Sequence, residues 1–216
     1  MKDLPFNSYE FLAILFPGFV FTTYVALSEE TKLVLNENNV IEILFLICVS
    51  YIAGQVINHV SNLLIEKATN KILNKPVLNL VGSSKLRVLN FLFPAYTGKL
   101  SVEFSDKYKN LINATTDTDL LFKTYNTVFT IARDNNDVFL KLNDATRMYG
   151  FFRNMSLVFL VLTTYYVCQF FAVPDGNWKR VIFFIFLTAT MYYRYLIFYR
   201  KHTLELISWY VKEKAP

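Results

Sequence analysis

Polar residues recur at helical spacing in the second apolar segment of this chain, and they are its best candidates for chemistry. Four of them are spaced by four, three and four residues, which places them on one face of a helix: Gln55, His59, Asn62 and Glu66, with Asn58 beside them. Polar groups in hydrocarbon must find partners, so such a face points into a helix bundle or a wet cavity. Two roles remain open for it, hydrogen bonding between helices or the lining of an ion path or gate.

Two arginines are candidates to complete this site. Arg153 opens the third apolar segment, and Arg194 lies near the end of the fourth. If these segment ends meet Glu66, either guanidinium forms an ion pair that acts as a latch between the membrane bundle and the rest of the chain. The alternative for Arg194 is that its side chain extends to the membrane surface while its stem stays among apolar groups.

Signals for catalysis and for metal binding are weak. The chain has no Gly-rich phosphate loop and none of the H-E-x-x-H, C-x-x-C or G-x-S-x-G motifs, and it has only two histidines. We therefore predict no catalytic residue, no cofactor and no metal ion. Cys48 and Cys168 lie inside apolar runs with no metal-ligand spacing, so we predict buried, inert thiols.

The composition points to a membrane protein. Hydrophobic residues make up 54% of the chain and charged residues only 18%, whereas a soluble domain carries about 25% charged residues. A membrane-spanning helix needs about 20 mostly apolar residues, and four segments approach or reach that length: 11–27, 40–65, 151–173 and 181–199. The first contains Pro17-Gly18, so we expect a retained helix kinked near Pro17, with a re-entrant or interfacial helix as the alternative.

Basic residues indicate the orientation of these segments. The chain has 22 Lys and Arg residues, and the loops 28–39 and 174–180 hold only Lys32, Lys179 and Arg180. The positive-inside rule therefore predicts four spans with both termini on the cytoplasmic side. The net charge of +5 follows from this bias and does not by itself indicate nucleic acid.

The predicted fold is an all-α membrane protein with a helical cytosolic lobe between the second and third spans. Its parts are a first transmembrane helix pair, the lobe, and a second pair with a basic tail: 1–67, 68–150 and 151–216. The second span should continue past Glu66 toward Lys75, and a helix should run unbroken from Val138 into the third span after a hinge at 134–137. The lobe carries a candidate basic partner surface: Lys85, Arg87, Lys99, Lys107 and Lys109.

Three stretches of sequence, FLAILFPGFVF, YIAGQVINHVSNLLIEK and YGFFRN, resemble small multi-pass bacterial membrane proteins of phage-defence systems. The resemblance is closest to the membrane accessory protein of type VI-B CRISPR loci, which accompanies an RNA-guided ribonuclease. It covers the four-span layout over most of the chain. It implies a bacterial inner-membrane location and a defence role, as a membrane effector or as a modulator of the nuclease, and it supplies no catalytic residues.

The leading hypothesis is a non-enzymatic inner-membrane accessory or effector protein of antiviral defence that oligomerises to alter membrane permeability. Its partners would be the lipid bilayer and further copies of itself. The alternative is a membrane-anchored binding module whose lobe regulates a cytosolic nuclease or binds RNA. A third class, an intramembrane enzyme or transporter, has neither inverted repeats nor a convergent acid–base set to support it.

Overall fold

The computed structural model describes residues 9–27, 40–81, 93–97, 102–111, 118–172 and 177–214, and these residues form helices without any strand. A π-helical segment, Glu10–Leu15, leads directly into α1, Phe16–Leu27. Helix α2, Val40–Ser61, continues through a second π-helical segment, Asn62–Glu66, into α3, Lys67–Ile72. The remaining helices are α4, Pro76–Val81; α5, Pro94–Thr97; α6, Val102–Leu111; α7, Thr118–Arg133; α8, Asn136–Ala172; and α9, Trp178–Lys214.

Three helical stretches of the described chain are long and apolar enough to cross a membrane: Val40–Val81, α8 and α9. Glu10–Ala26 is a shorter apolar helix. The predicted all-helical membrane protein is therefore confirmed at the level of three candidate spans. The fourth span and the orientation of the chain stay predictions.

The continuous helix predicted to enter the third segment is confirmed. Helix α8 has 37 residues, more than the span itself requires. A turn at Asp134–Asn135 separates it from α7. The amide N–H of Val138 donates to Asn135 Oδ1 at 3.3 Å, so a helix-capping asparagine begins α8 at the predicted hinge.

The helix that leaves the second span ends at Ile72, slightly before the predicted Lys75. Asn74 has φ 61°, the left-handed conformation that commonly follows a helix C-terminus. Side chains then take up the carbonyls exposed at this break. Asn79 Nδ2 donates to the carbonyl of Leu73 at 2.7 Å, and the hydroxyl of Tyr96 donates to that of Asn74 at 2.8 Å.

The chain divides into two compact units. Unit 1 comprises Met1–Glu66 and Gly150–Tyr195, and unit 2 comprises Lys67–Tyr149 and Leu196–Pro216. The sequence division placed its boundaries after residues 67 and 150 and kept 151–216 as one part. The units of the structure group the C-terminal part of α9 with Lys67–Tyr149.

Unit 1 is held together by close helix packing. A Cβ built on Gly18 would lie 1.9 Å from the carbonyl oxygen of Ser50, and one on Gly54 would lie 2.2 Å from that of Ile14. Only glycine allows α1 and the π-helical segment before it to approach α2 this closely. The hydroxyls of Thr22 and Ser50 are hydrogen-bonded at 2.7 Å within the same contact.

Unit 2 has a hydrophobic core of its own, built from two clusters on five helices: Val77, Leu80, Val81, Tyr108, Ile207 and Val211, and then Val128, Ala132, Leu142 and Leu206. His202 lies beside this core and is 8% exposed. Its Nδ1 is 3.2 Å from the hydroxyl of Tyr125, and the rings of Phe129 and Tyr149 pack against the imidazole. Burial raises the pKa of Tyr125 to about 12.

The prediction of buried thiols is wrong. Cys48 and Cys168 are both exposed. An apolar run indicates that a helix is embedded, but it does not indicate which of its faces the rest of the chain covers. Both cysteines lie on faces that their own chain leaves open.

Candidate functional site

Arg153 is the centre of a buried polar network at the Glu66 end of unit 1. The residue is 4% exposed, and each guanidinium nitrogen donates to an acceptor supplied by the stretch from α2 into the second π-helical segment. Nη1 donates to Glu66 in an ion pair, Nη2 to Asn58 Oδ1 at 2.7 Å, and Nε to Ser61 Oγ at 3.1 Å. Because a guanidinium presents its donors in a fixed plane, three convergent acceptors hold it in one orientation.

Asn154 extends this network to the first apolar helix. It is fully buried, and its Nδ2 donates to Asn58 Oδ1 at 3.1 Å and to the carbonyl of Ala13 at 2.5 Å. Its Oδ1 accepts a short hydrogen bond from Ser61. Two adjacent side chains of α8 therefore bind α2 and the chain before α1 together.

The Ala13 carbonyl that accepts from Asn154 lies in the turn just before Pro17. In an α-helix the N–H of residue 17 would donate to the carbonyl of residue 13, but proline has no N–H. The chain forms the π-helical segment Glu10–Leu15 here, closed by a bond from Phe16 N–H to the Phe11 carbonyl. In this register the N–H of residue 17 would face the carbonyl of Leu12, so Pro17 and the longer turn together leave this stretch short of backbone donors. Asn154 donates to the Ala13 carbonyl within it. The sequence predicts a kink near Pro17, and the structure has a π-helical turn just before this residue. The Ala13 carbonyl of that turn is part of the site.

The second π-helical segment decides where Glu66 points. A π-helical turn, with its i→i+5 bond, uses about one residue more than an α-helical turn. Over Asn62–Glu66 this rotates Glu66 back by roughly a quarter turn relative to a straight α-helix. Glu66 thereby leaves the face of Gln55 and aligns with Asn58. The prediction that Glu66 shares one face with the other polar residues is therefore wrong, since it assumed uniform α-helical geometry.

The remaining polar residues of that face point away from their own chain. Gln55, His59 and Asn62 are all exposed. The amide of Gln55 donates to the hydroxyl of Tyr51 one turn away at 2.9 Å, within the same helix. Five predicted residues therefore divide into two groups: Asn58 and Glu66 in the network, and Gln55, His59 and Asn62 outside it.

The other candidates lie elsewhere. Of the two arginines considered for Glu66, the structure pairs Arg153 with it, while Arg194 is exposed and stays outside the network. In the predicted basic surface, Lys107 is exposed on α6, and the backbone of Lys109 belongs to the same helix. Three members lie outside the described residues: Lys85, Arg87 and Lys99.

This arrangement favours binding over proton transfer. The Arg153 guanidinium has five N–H donors and no acceptor, which suits it to hold several oxygen atoms at once. Asn58 and Asn154 do not titrate. Within the described residues, no group of three or more His, Cys, Asp or Glu side chains lies close enough to hold a metal ion. The network holds α8, α2 and the π-helical segment before α1 together within unit 1. Its role as a latch to the lobe stays a prediction.

Sequence reasoning identified Arg153, Asn58 and Glu66 but missed Asn154 and the Ala13 carbonyl. Pro17 was the available signal, because a helical proline leaves a carbonyl of the preceding turn without a backbone donor. Comparisons with protein-family models, with curated proteins and with solved structures found no match to this chain.

Proposed function

We propose that this protein is a non-enzymatic effector of the bacterial inner membrane that assembles as a homo-oligomer and alters membrane permeability. The setting in antiviral defence comes from the resemblance of its sequence segments alone. The observation that carries the proposal is the exposure of Gln55, His59 and Asn62 on a helix that is otherwise apolar enough to span a membrane.

The depth of Gln55 makes its exposure costly in a single copy, whereas Asn62, roughly 33 Å from Val40 along the helix, lies beyond the hydrocarbon. A helix rises about 1.5 Å per residue, so Gln55 lies roughly 22 Å from Val40 along α2, and His59 roughly 28 Å. The hydrocarbon core is about 30 Å thick. If α2 enters the membrane at Val40, the Gln55 amide lies within hydrocarbon and His59 near its far boundary, where polar groups need partners.

Hydrogen bonding between helices of one chain does not explain this group. It explains Asn58, Ser61 and Glu66, whose side chains bind Arg153 and Asn154. Gln55, His59 and Asn62 are turned away from those partners. A ring of copies would give them polar neighbours and would line a path with amide and imidazole groups, as in a polar pore.

The test is ion and dye release from liposomes containing the full chain. We expect release from vesicles with the natural sequence and, after the joint change of Gln55, His59 and Asn62 to Leu, a loss of roughly tenfold or more, since the polar lining is removed. Thr164→Leu with Gln169→Leu is the matched control, because both residues are exposed polar positions on α8, another candidate span. Tight vesicles with the natural sequence, or equal release from the Leu variant, would overturn the proposal.

A second candidate function, a membrane-anchored binding module, is favoured by unit 2. This unit has its own hydrophobic core and therefore resembles a separate folded part more than a loop between spans. Its exposed Lys107 belongs to the surface expected to contact RNA or a nuclease. The full chain in nanodiscs should then bind labelled single-stranded RNA with an affinity that falls as salt rises. Absence of binding, or an affinity unchanged by Lys107→Glu, would remove the RNA form of this function.

A further inference from the structure

One series of exposed residues follows a regular pattern from Phe45 in α2 to Asn62 in the second π-helical segment. Other exposed residues of α2 fall outside this series: Val40, Ile41, Ile43, Leu44, Ile47 and Val56. The residues of the series are spaced by three, four, three, four and three, the 3.5-residue period of a helix-packing seam. They are Phe45, Cys48, Ile52, Gln55, His59 and Asn62, here called the α2 seam, and every one is exposed. Phe45 is 69% exposed and Ile52 is 63% exposed, so the rest of the chain covers little of these large side chains.

The opposite face of α2 has the same period and is already occupied. Its buried residues are spaced by four, three and four: Ser50, Gly54, Ile57 and Ser61. They are mostly small, and they receive the first apolar helix and α8. Helix α2 therefore has two packing faces, one filled within the chain and one left open.

We propose that the α2 seam is a homotypic interface that packs against the same seam of a second copy of this chain. The proposal rests on the homo-oligomer of the proposed function and names the surface through which it forms. Copies inserted in one orientation meet in parallel around an axis normal to the membrane. Each seam residue then faces its own counterpart, which requires the seam to be complementary to itself.

The seam meets this requirement along its length. Its first half is apolar, so Phe45 and Ile52 pack against their counterparts. In its second half, Gln55 and Asn62 each carry an amide that donates and accepts, so each can bond to an identical residue. Lipid would suit the apolar half equally well. Within the helix, Tyr51 accepts one N–H of the Gln55 amide, but lipid supplies no donor to the amide oxygen and no acceptor to the second N–H. Polar residues at seam positions also fix the register of packed helices.

The natural Cys48 provides the test. With Cys168→Ser in the full chain, membranes are oxidised with copper phenanthroline and the covalent dimer is measured on non-reducing gels. In the cysteine-free background, Phe45→Cys reports a second seam position. Ile43→Cys is the control, because Ile43 is exposed and lies only two residues before Phe45, yet it points about 160° away from Phe45 around the helix.

Cysteines at 45 and 48 should cross-link, with roughly tenfold more dimer than at 43, because a disulfide needs Cβ atoms about 4 Å apart. Equal dimer at all three positions would mean random collision, and no dimer at 45 or 48 would mean that the seams do not meet. Either result overturns the interface. If the seam cross-links but the vesicles stay tight, the interface stands and the permeability function is refuted. If the vesicles leak but the seam does not cross-link, the permeability function stands and the interface is refuted.

Discussion

Replacement of Glu66 by Leu should destabilise the protein more than replacement of its partner Arg153 by Met. The reason is the difference in burial of the two groups, since the Arg153 side chain is 5% exposed and that of Glu66 is 22% exposed. Without Glu66, a buried guanidinium loses its counterion, which costs about 3 kcal/mol, the lower end of the range for broken buried pairs. Without Arg153, the carboxylate can reach water, while Asn154 still binds Asn58 and Ser61. We expect about 1–2 kcal/mol for this variant.

A double-mutant cycle separates the pair from its surroundings. Glu66→Leu combined with Arg153→Met removes both charges, so the double variant should be more stable than Glu66→Leu alone. The coupling free energy should be about 1–3 kcal/mol in magnitude. Unfolding in mixed micelles by SDS titration, followed by circular dichroism, measures each free energy of unfolding.

The chain also contains an exposed ion pair that serves as a control. Arg147 and Asp144 are paired three residues apart on α8, with side chains that are 29% and 69% exposed. Asp144→Asn should therefore cost less than about 0.5 kcal/mol. A Glu66 variant no worse than Asp144→Asn, or an Arg153 variant that costs more than the Glu66 variant, would refute the argument from burial.

Three further predictions follow from the packing of each unit. Gly54→Ala should lower the free energy of unfolding by about 1–3 kcal/mol, because the new methyl group meets the Ile14 backbone at 2.2 Å. Gly150→Ala should cost less in the same assay, because its methyl group meets the movable ring of Tyr9 at 3.2 Å. Pro17→Ala supplies the N–H with which this turn can close as an α-helix, where residue 17 donates to the Ala13 carbonyl. Asn154→Ala should then cost less in that background than in the natural sequence, and equal costs would contradict the assigned role of Asn154. Burial raises the pKa of Tyr125 to about 12, so above pH 10 the phenol ionises in the unfolded chain but stays neutral in the folded one. The free energy of unfolding should therefore fall by about 2 kcal/mol between pH 10 and 12, and Tyr125→Phe should make that fall smaller.

The helical architecture was predictable because its signals are local. Length and hydropathy identified the second, third and fourth apolar segments, and the polar residues at 134–137 marked the start of α8. These features depend on neighbouring residues, so a single sequence contains them. The allocation of residues after Tyr195 to unit 2 depends on long-range packing of Leu206 and Ile207, which local pattern does not express.

The site was predictable only in part, because its geometry depends on two departures from α-helical spacing. The expected face of four residues held for Gln55, His59 and Asn62 and failed at Glu66, where the π-helical segment begins to change the rotation per residue. The exposure of Cys48 was missed for a different reason. Mean hydropathy describes a helix averaged over all its faces, whereas the 3.5-residue spacing of the exposed residues shows which face the rest of the chain does not cover.

The second π-helical segment links the two faces of α2. In a straight α-helix Glu66 would stand below Asn62 on the open face, and in a parallel assembly its carboxylate would meet the same carboxylate of the neighbouring copy. Like charges in direct opposition repel, and the repulsion grows where water is scarce. The rotation at Asn62–Glu66 instead turns the acid to Arg153, which neutralises it inside one chain. The α2 seam then carries no carboxylate, so the segment that completes the arginine network also removes repulsion between carboxylates of neighbouring copies.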